Sequence, residues 1–136
     1  MTQVPSTSTS AFPVIPGYQV IDRLGSGATA TVYKARQLTL DRLVAIKVLN
    51  RRAGSDVAYA RKLLSEGRAA AKLNHPNAVQ AYDVGQVGDL LYFVMEYIEG
   101  STVQQRLQRQ GRYPLDEAIQ IILQVAQACS RVIAWA

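Results

Sequence analysis

Residues 24–35 read LGSGATATVYKA. Gly25 and Gly27 stand one residue apart, followed by small residues and then a β-branched run. Glycine has no Cβ, so this stretch sets almost bare backbone between two extended segments, and its N–H groups can approach a ligand closely. Three readings compete. A dinucleotide-binding G-x-G-x-x-G leads from a strand straight into a helix whose N-terminus takes a pyrophosphate, whereas Val32, Tyr33 and Lys34 here continue as a strand. A Walker loop carries Lys and then Ser or Thr directly after its last glycine, and that pair is missing after Gly27. What remains is a glycine hairpin lying over phosphate oxygens, a reading that the loop alone shares with an ordinary glycine-rich hairpin.

The surroundings of the loop organise the chain. Residues 1–16, MTQVPSTSTSAFPVIP, are rich in Ser, Thr and Pro without a sustained period, and read as a flexible leader outside the fold. From Tyr18 come three β-like runs, YQVIDRL, TVYKARQL and LVAIKVL, separated by the glycine loop and the turn-prone TLDR. The stretch 55–73 is expected to be a helix of about five turns, with Ser55 as N-cap and Val57, Ala60, Leu63, Leu64 and Ala71 at helical spacing. NHPN stops it, because Pro76 disfavours helical backbone at His75. Two more strands, AVQAYDV and LLYFVMEYI, are expected on either side of a turn at Gly85 to Gly88, and Gly100 ends the sheet. The last third reads as helical. A short segment runs from near Thr102 to Gln110, and a long one opens with Pro114 in its first position and Asp116 and Glu117 in its first turn.

Composition narrows the functions available. At 136 residues and 49% hydrophobic, the chain supports one modest core. The net charge of +5 is scattered, with no run of basic residues longer than a pair such as Arg51–Arg52, which speaks for a solvated surface and against a nucleic-acid partner. A single Cys129 and a single His75 allow neither an internal disulfide nor a Cys/His zinc cluster. No stretch is long and apolar enough to span a bilayer and no signal peptide is evident, so a soluble, cytoplasmic protein without a membrane partner is expected. Cys129 and Trp135 read as packing residues on an apolar helix face.

Lys47 favours the ligand-binding reading of the loop. It interrupts the apolar strand LVAIKVL, where a charge is costly to bury unless paired. Glu66, nineteen positions later and flanked by Leu63, Leu64 and Ala69, is its candidate partner, in a pair that would hold the ammonium towards phosphates under the loop.

Together these pieces resemble the amino-terminal lobe of eukaryotic-type protein kinases, and their wording is most similar to bacterial serine/threonine kinases. The matching motifs are GSGATATV for the glycine-rich loop, VAIK for the lysine strand and Glu66 in the helix that the family calls C. LNHPN before the fourth strand and VMEYIEG for the hinge complete the set. The resemblance covers Tyr18 to about Ala128. It implies an α+β fold, a five-stranded antiparallel sheet with one helix C at residues 17–98, then at residues 99–136 the hinge exit and the first helices of the second lobe. It implies ATP as ligand, with the loop residues Gly25, Ser26, Gly27 and Ala28 over its phosphates and Lys47, paired with Glu66, on the α- and β-phosphates. Leu24, Val32 and Ala45 would roof the adenine, Met95 would be the gatekeeper, and the Glu96 carbonyl and Ile98 N–H would bind the adenine edge.

Two departures qualify the resemblance. Ala30 replaces the third loop glycine, a small cost unless the backbone there needs positive φ. The 136 residues also contain no H-R-D and no D-F-G, hence no catalytic base and no metal-binding Asn or Asp of the family. Asp41, Asp56, Asp83 and Asp89 read as turn or end residues rather than replacements, so no metal ligand is assigned and magnesium is expected only with a complete kinase. The expectation is an ATP-binding part of a serine/threonine kinase that is inactive alone. A non-catalytic interaction module and a gene remnant stand as alternatives, and an early stop, a frame change and a shortened polypeptide are equally open as origins of the ending. The protein substrate or partner lobe is undetermined. The apolar spacing of residues 115–133 predicts self-association through that helix.

Overall fold

The structure, a computed structural model, describes residues 12–49 and 57–133. Five strands, β1 (Tyr18–Ser26), β2 (Ala30–Gln37), β3 (Arg42–Leu49), β4 (Ala81–Val87) and β5 (Leu90–Glu96), form one sheet in the order β1-β2-β3-β5-β4. Every neighbouring pair is antiparallel. Helix α1 (Val57–Ala71) lies between β3 and β4 in sequence, and α2 (Val103–Gln110) and α3 (Leu115–Ile133) follow the sheet. This is the kinase-like α+β arrangement that the motifs imply. The expected N-cap Ser55 lies outside the described residues, as do residues 1–11 and Trp135.

Strand β3 shows why its sequence is nearly continuous in apolar residues. Side chains alternate across a strand, and both faces of β3 are covered. Val44, Ile46 and Val48 join Ala35, Tyr92 and Val94 in one buried cluster, as the pairs Ala35–Val44, Ile46–Val94 and Val48–Tyr92 require. Leu49 turns the other way and packs with Ala30 and Leu91 beneath Ala60, Leu63 and Leu64 of α1. The helix approaches the sheet closely at Gly67, where a Cβ would stand 2.3 Å from the Phe93 ring. Val57, counted in the sequence as part of the apolar spacing, is instead 71% exposed at the start of the helix.

The leader requires a correction. Ile15 is only 2% exposed and belongs to the first buried cluster, Tyr18 N–H donates to the Ile15 carbonyl at 3.1 Å, and Phe12 meets Tyr33 edge to face at 6.0 Å. The folded unit therefore begins before Gly17. The Ser/Thr/Pro composition of residues 1–16 hid a single aliphatic plug, because one buried residue leaves no period. Ile15→Ala is expected to destabilise the chain by about 2–4 kcal/mol, the range for truncating a buried aliphatic side chain, as read by chemical denaturation. An unchanged midpoint would show that the segment does not contribute to stability.

A second correction concerns Gly85. The β4–β5 turn is Gly88 and Asp89 alone, with Gly88 at φ +57°. Gly85 lies inside β4 opposite Tyr92, where a Cβ would fall 2.3 Å from the Tyr92 hydroxyl oxygen, so its bareness serves the tyrosine and not a turn. Asp83 is likewise a strand residue. Burial and then the Asp83 carboxylate push the Tyr18 and Tyr92 phenols above their ordinary range.

Helix α2 opens on a reciprocal cap. The Thr102 hydroxyl accepts from Gln105 N–H at 3.1 Å and the Gln105 side chain accepts from Thr102 N–H at 2.9 Å, satisfying two donors that a helix start leaves open. Arg106 joins α2 to α3 through Glu117. Cys129, expected to be buried, is exposed, because the face of α3 that carries it is not covered. No helix among the described residues is long and apolar enough to cross a membrane.

Candidate nucleotide site

Directly paired residues of antiparallel strands share a face, and the register sorts the candidate residues into two neighbouring rows. One row runs Gly25, Val32, Lys47, Phe93 across β1, β2, β3 and β5. The next runs Asp22, Lys34, Ala45, Met95, Ala81 across all five strands. Val32, Ala45, Lys47 and Met95, chosen from separate motifs, thus occupy one patch of one face, with rows about 7 Å apart. Leu24, 46% exposed, precedes Gly25 at the edge of this patch.

The loop is a tight hairpin closed by Gly27 N–H on the Ala30 carbonyl at 2.8 Å. Neither glycine is forced by the fold. Neither Gly25 nor Gly27 has positive φ; a Cβ would meet nothing within 4 Å at Gly25 and only the Ala30 carbonyl, at 3.8 Å, at Gly27. Ala30, the departure from the glycine pattern, also lacks positive φ, and its methyl is buried against Leu49 and Leu91. The substitution is accommodated as core packing.

Lys47 is corrected in its environment. It is solvent-exposed in an otherwise buried strand, so no burial cost demands a partner. The pair with Glu66 is not formed: the Glu66 carboxylate lies 4.0 Å from Lys62 Nζ, one turn away on the same helix, and Lys47 makes no ion pair among the described residues. Lys47 and Glu66 nevertheless line one cavity of about 310 Å³ between α1 and the sheet, with Leu63, Gly67 and Met95 also on its wall. Both groups are hydrated, and an exposed ion pair gains little, typically below about 1 kcal/mol. Proximity across a cavity does not compel contact.

The strand exit is fixed by a residue that the motifs did not single out. Gln80 accepts from Glu96 N–H at 2.9 Å through its carbonyl and donates its own N–H to the Glu96 carboxylate at 3.2 Å. Ile98, two residues on, is 57% exposed, and its N–H makes no hydrogen bond among the described residues. Asn77, in the NHPN segment read only as a helix stop, donates to the Gln124 carbonyl at 3.0 Å and to the Gln127 side chain at 3.2 Å. It ties the connection between α1 and β4 to α3. The signal was present in its polar side chain, but its partner lies 47 residues away. Among the described residues, no group of three His, Cys, Asp or Glu could hold a metal ion.

The family profile described as protein kinase domain matches residues 18–132. Serine/threonine-protein kinase PrkC of Bacillus subtilis is 39% identical over 111 residues, covering 82% of this chain and 17% of the relative. Serine/threonine-protein kinase PknB of Mycobacterium leprae is 37% identical over 115 residues, covering 82% and 18%. The crystal structure of the Mycobacterium tuberculosis PknI kinase domain superposes with a TM-score of 0.75 at 28% identity, covering 88% of this chain and 49% of that one. The chain thus spans less than a fifth of these curated relatives and about half of a solved kinase domain. With its glycine hairpin, its exposed strand lysine and these matches, the chain belongs to the protein kinase family, of whose domain it spans the amino-terminal lobe and the first helices beyond it.

Proposed function

We propose that this chain is the ATP-binding part of a serine/threonine protein kinase. The observation that carries the reading is the pair of rows that sets Gly25, Val32 and Lys47 beside Ala45 and Met95 on one face, under a hairpin whose glycines serve neither φ nor packing. The residues fit the nucleotide by their chemistry. Val32, Ala45 and Leu24 supply an apolar roof for adenine, and the open N–H of Ile98 with the Glu96 carbonyl supplies a donor and an acceptor for its edge. Lys47, exposed and without an ion pair among the described residues, supplies a cation for the phosphates, and the backbone of Gly25, Ser26, Gly27 and Ala28 can lie close over them. Bound ATP would supply the phosphoryl group, with magnesium held only by residues of a complete kinase.

Adenine is contacted here from one side, so binding is expected to be weak, ~4–5.5 kcal/mol or a Kd of roughly 0.1–1 mM. Titration with ATP, followed through the amide shifts of Gly27 and Ile98, tests this. Sub-micromolar affinity, or saturation that leaves both amides unmoved, would overturn the assignment.

A further inference from the structure

Lys34 sits in the same row as Ala45 and Met95, opposite Asp22 on the neighbouring strand. Its ammonium does not pair with that carboxylate. Asp22 Oδ1 accepts from Arg23 N–H at 2.8 Å, whereas Lys34 Nζ stands over the Tyr97 ring, 4.7 Å from its centroid. Lysine carries a cation on a four-carbon stem, and Ala45, which occupies the row between Lys34 and Met95, is small enough to let that stem pass. Both partners are half-buried, a setting in which a cation over an aromatic face is worth more than on open surface.

The position of Tyr97 gives the contact its meaning. Tyr97 lies between Glu96 and Ile98, just past the end of β5, where the chain leaves the ladder and loses the hydrogen bonds that fixed it. Gln80 holds Glu96. Ile98 has no such tether. The ring of Tyr97, held under Lys34, connects this stretch to β2, the strand that also carries Val32. We propose that Lys34 and Tyr97 form a positioning clamp that sets the 96–98 segment at a defined distance from the roof of the nucleotide site. The proposal rests on the ATP-site reading for its functional consequence, but the clamp itself is a property of the ligand-free chain.

Three proteins separate the possibilities: the unaltered chain, Lys34→Ala, and Lys34→Arg, whose guanidinium also stacks on aromatic faces. Amide hydrogen exchange of residues 97–99 is measured without ligand, and affinities are measured for adenosine and for inorganic tripolyphosphate. In Lys34→Ala, exchange at residues 97–99 and the adenosine Kd are both expected to rise about threefold to tenfold, the scale of one partly buried cation–π contact. Val44 and Ile46 amides keep their protection, the tripolyphosphate Kd stays within about twofold, and Lys34→Arg restores the original values. Unchanged exchange at residues 97–99 overturns the clamp. So does an equal loss for adenosine and tripolyphosphate, which would mark Lys34 as a distant charge only. If the unaltered chain takes no adenosine, the nucleotide-site reading fails, and the exchange measurement alone decides the clamp.

Discussion

Incubated with radiolabelled ATP, magnesium and a Ser/Thr protein substrate, the 136-residue chain is expected to leave no phosphoprotein above background. Phosphoryl transfer asks little covalent chemistry of a protein and a great deal of positioning: a base on the acceptor hydroxyl, and metal ions that neutralise charge on the β- and γ-phosphates. The sequence contains neither H-R-D nor D-F-G, which carry those roles in the family. On the proposed reading, Lys47 and the glycine hairpin would address the ground state of the nucleotide. Binding substrate and transition state equally well does not lower the barrier between them. The control is Lys47→Met. Contaminating kinases are indifferent to that change, so turnover that vanished with it would refute the expectation and reveal a base and metal site elsewhere in the chain.

The second large effect belongs to α3. Leu115 is 77% exposed and Ile122 69%, with Ile119, Leu123 and Val125 also exposed, and together with Ala118 and Ala126 they make one continuous apolar face. Leaving on the order of 400 Å² of such surface in water forfeits roughly 10 kcal/mol at 25 cal/mol per Å², comparable to the whole stability of a small domain. The isolated chain is therefore expected to self-associate through residues 115–133, with two copies paired helix to helix as the ordered form, or to aggregate. Sedimentation of the full chain beside a version ending at Gly111 separates the outcomes: the shorter chain should run as a monomer and the longer should not. A monomeric full chain at high micromolar concentration, with α3 amides protected from exchange, would mean that the sheet covers the helix in solution.

Some of this molecule was legible before any coordinate. The apolar run LVAIKVL and the single charge within it located β3, and the order of the motifs along the chain gave the five antiparallel strands and the helix between the third and the fourth. Signals of that kind are local, set by periods of two and of about 3.6 residues. The misreadings share a different cause. Ile15 contributes to the core as one residue without a period, Gly85 is bare because of Tyr92 on the next strand, and Asn77 bonds a helix far along the chain. Each depends on a partner that spacing cannot supply. The expected contact between Lys47 and Glu66 failed in the opposite sense. Their likeness to a family pattern placed them beside one cavity, but contact depends on how far α1 stands from the sheet, and in this structure Glu66 turns to Lys62. Cys129 was read as buried because an apolar face was taken to imply a cover.

Among the described residues, the side-chain hydrogen bonds between α3 and the chain before residue 97 all come from Asn77, in the connection between α1 and β4, and residues 97–102 carry the backbone across. A rigid body pinned at two places keeps one free rotation, about the line joining the pins. The sheet and the helices beyond it are thus attached like a door on two hinges, one covalent and one made of two amide hydrogen bonds. A swing about that line would change the distance between the glycine hairpin and α3 while leaving the strand rows intact. Asn77→Ala would remove both bonds of the second pin and is expected to widen that swing, seen as faster amide exchange in residues 97–102.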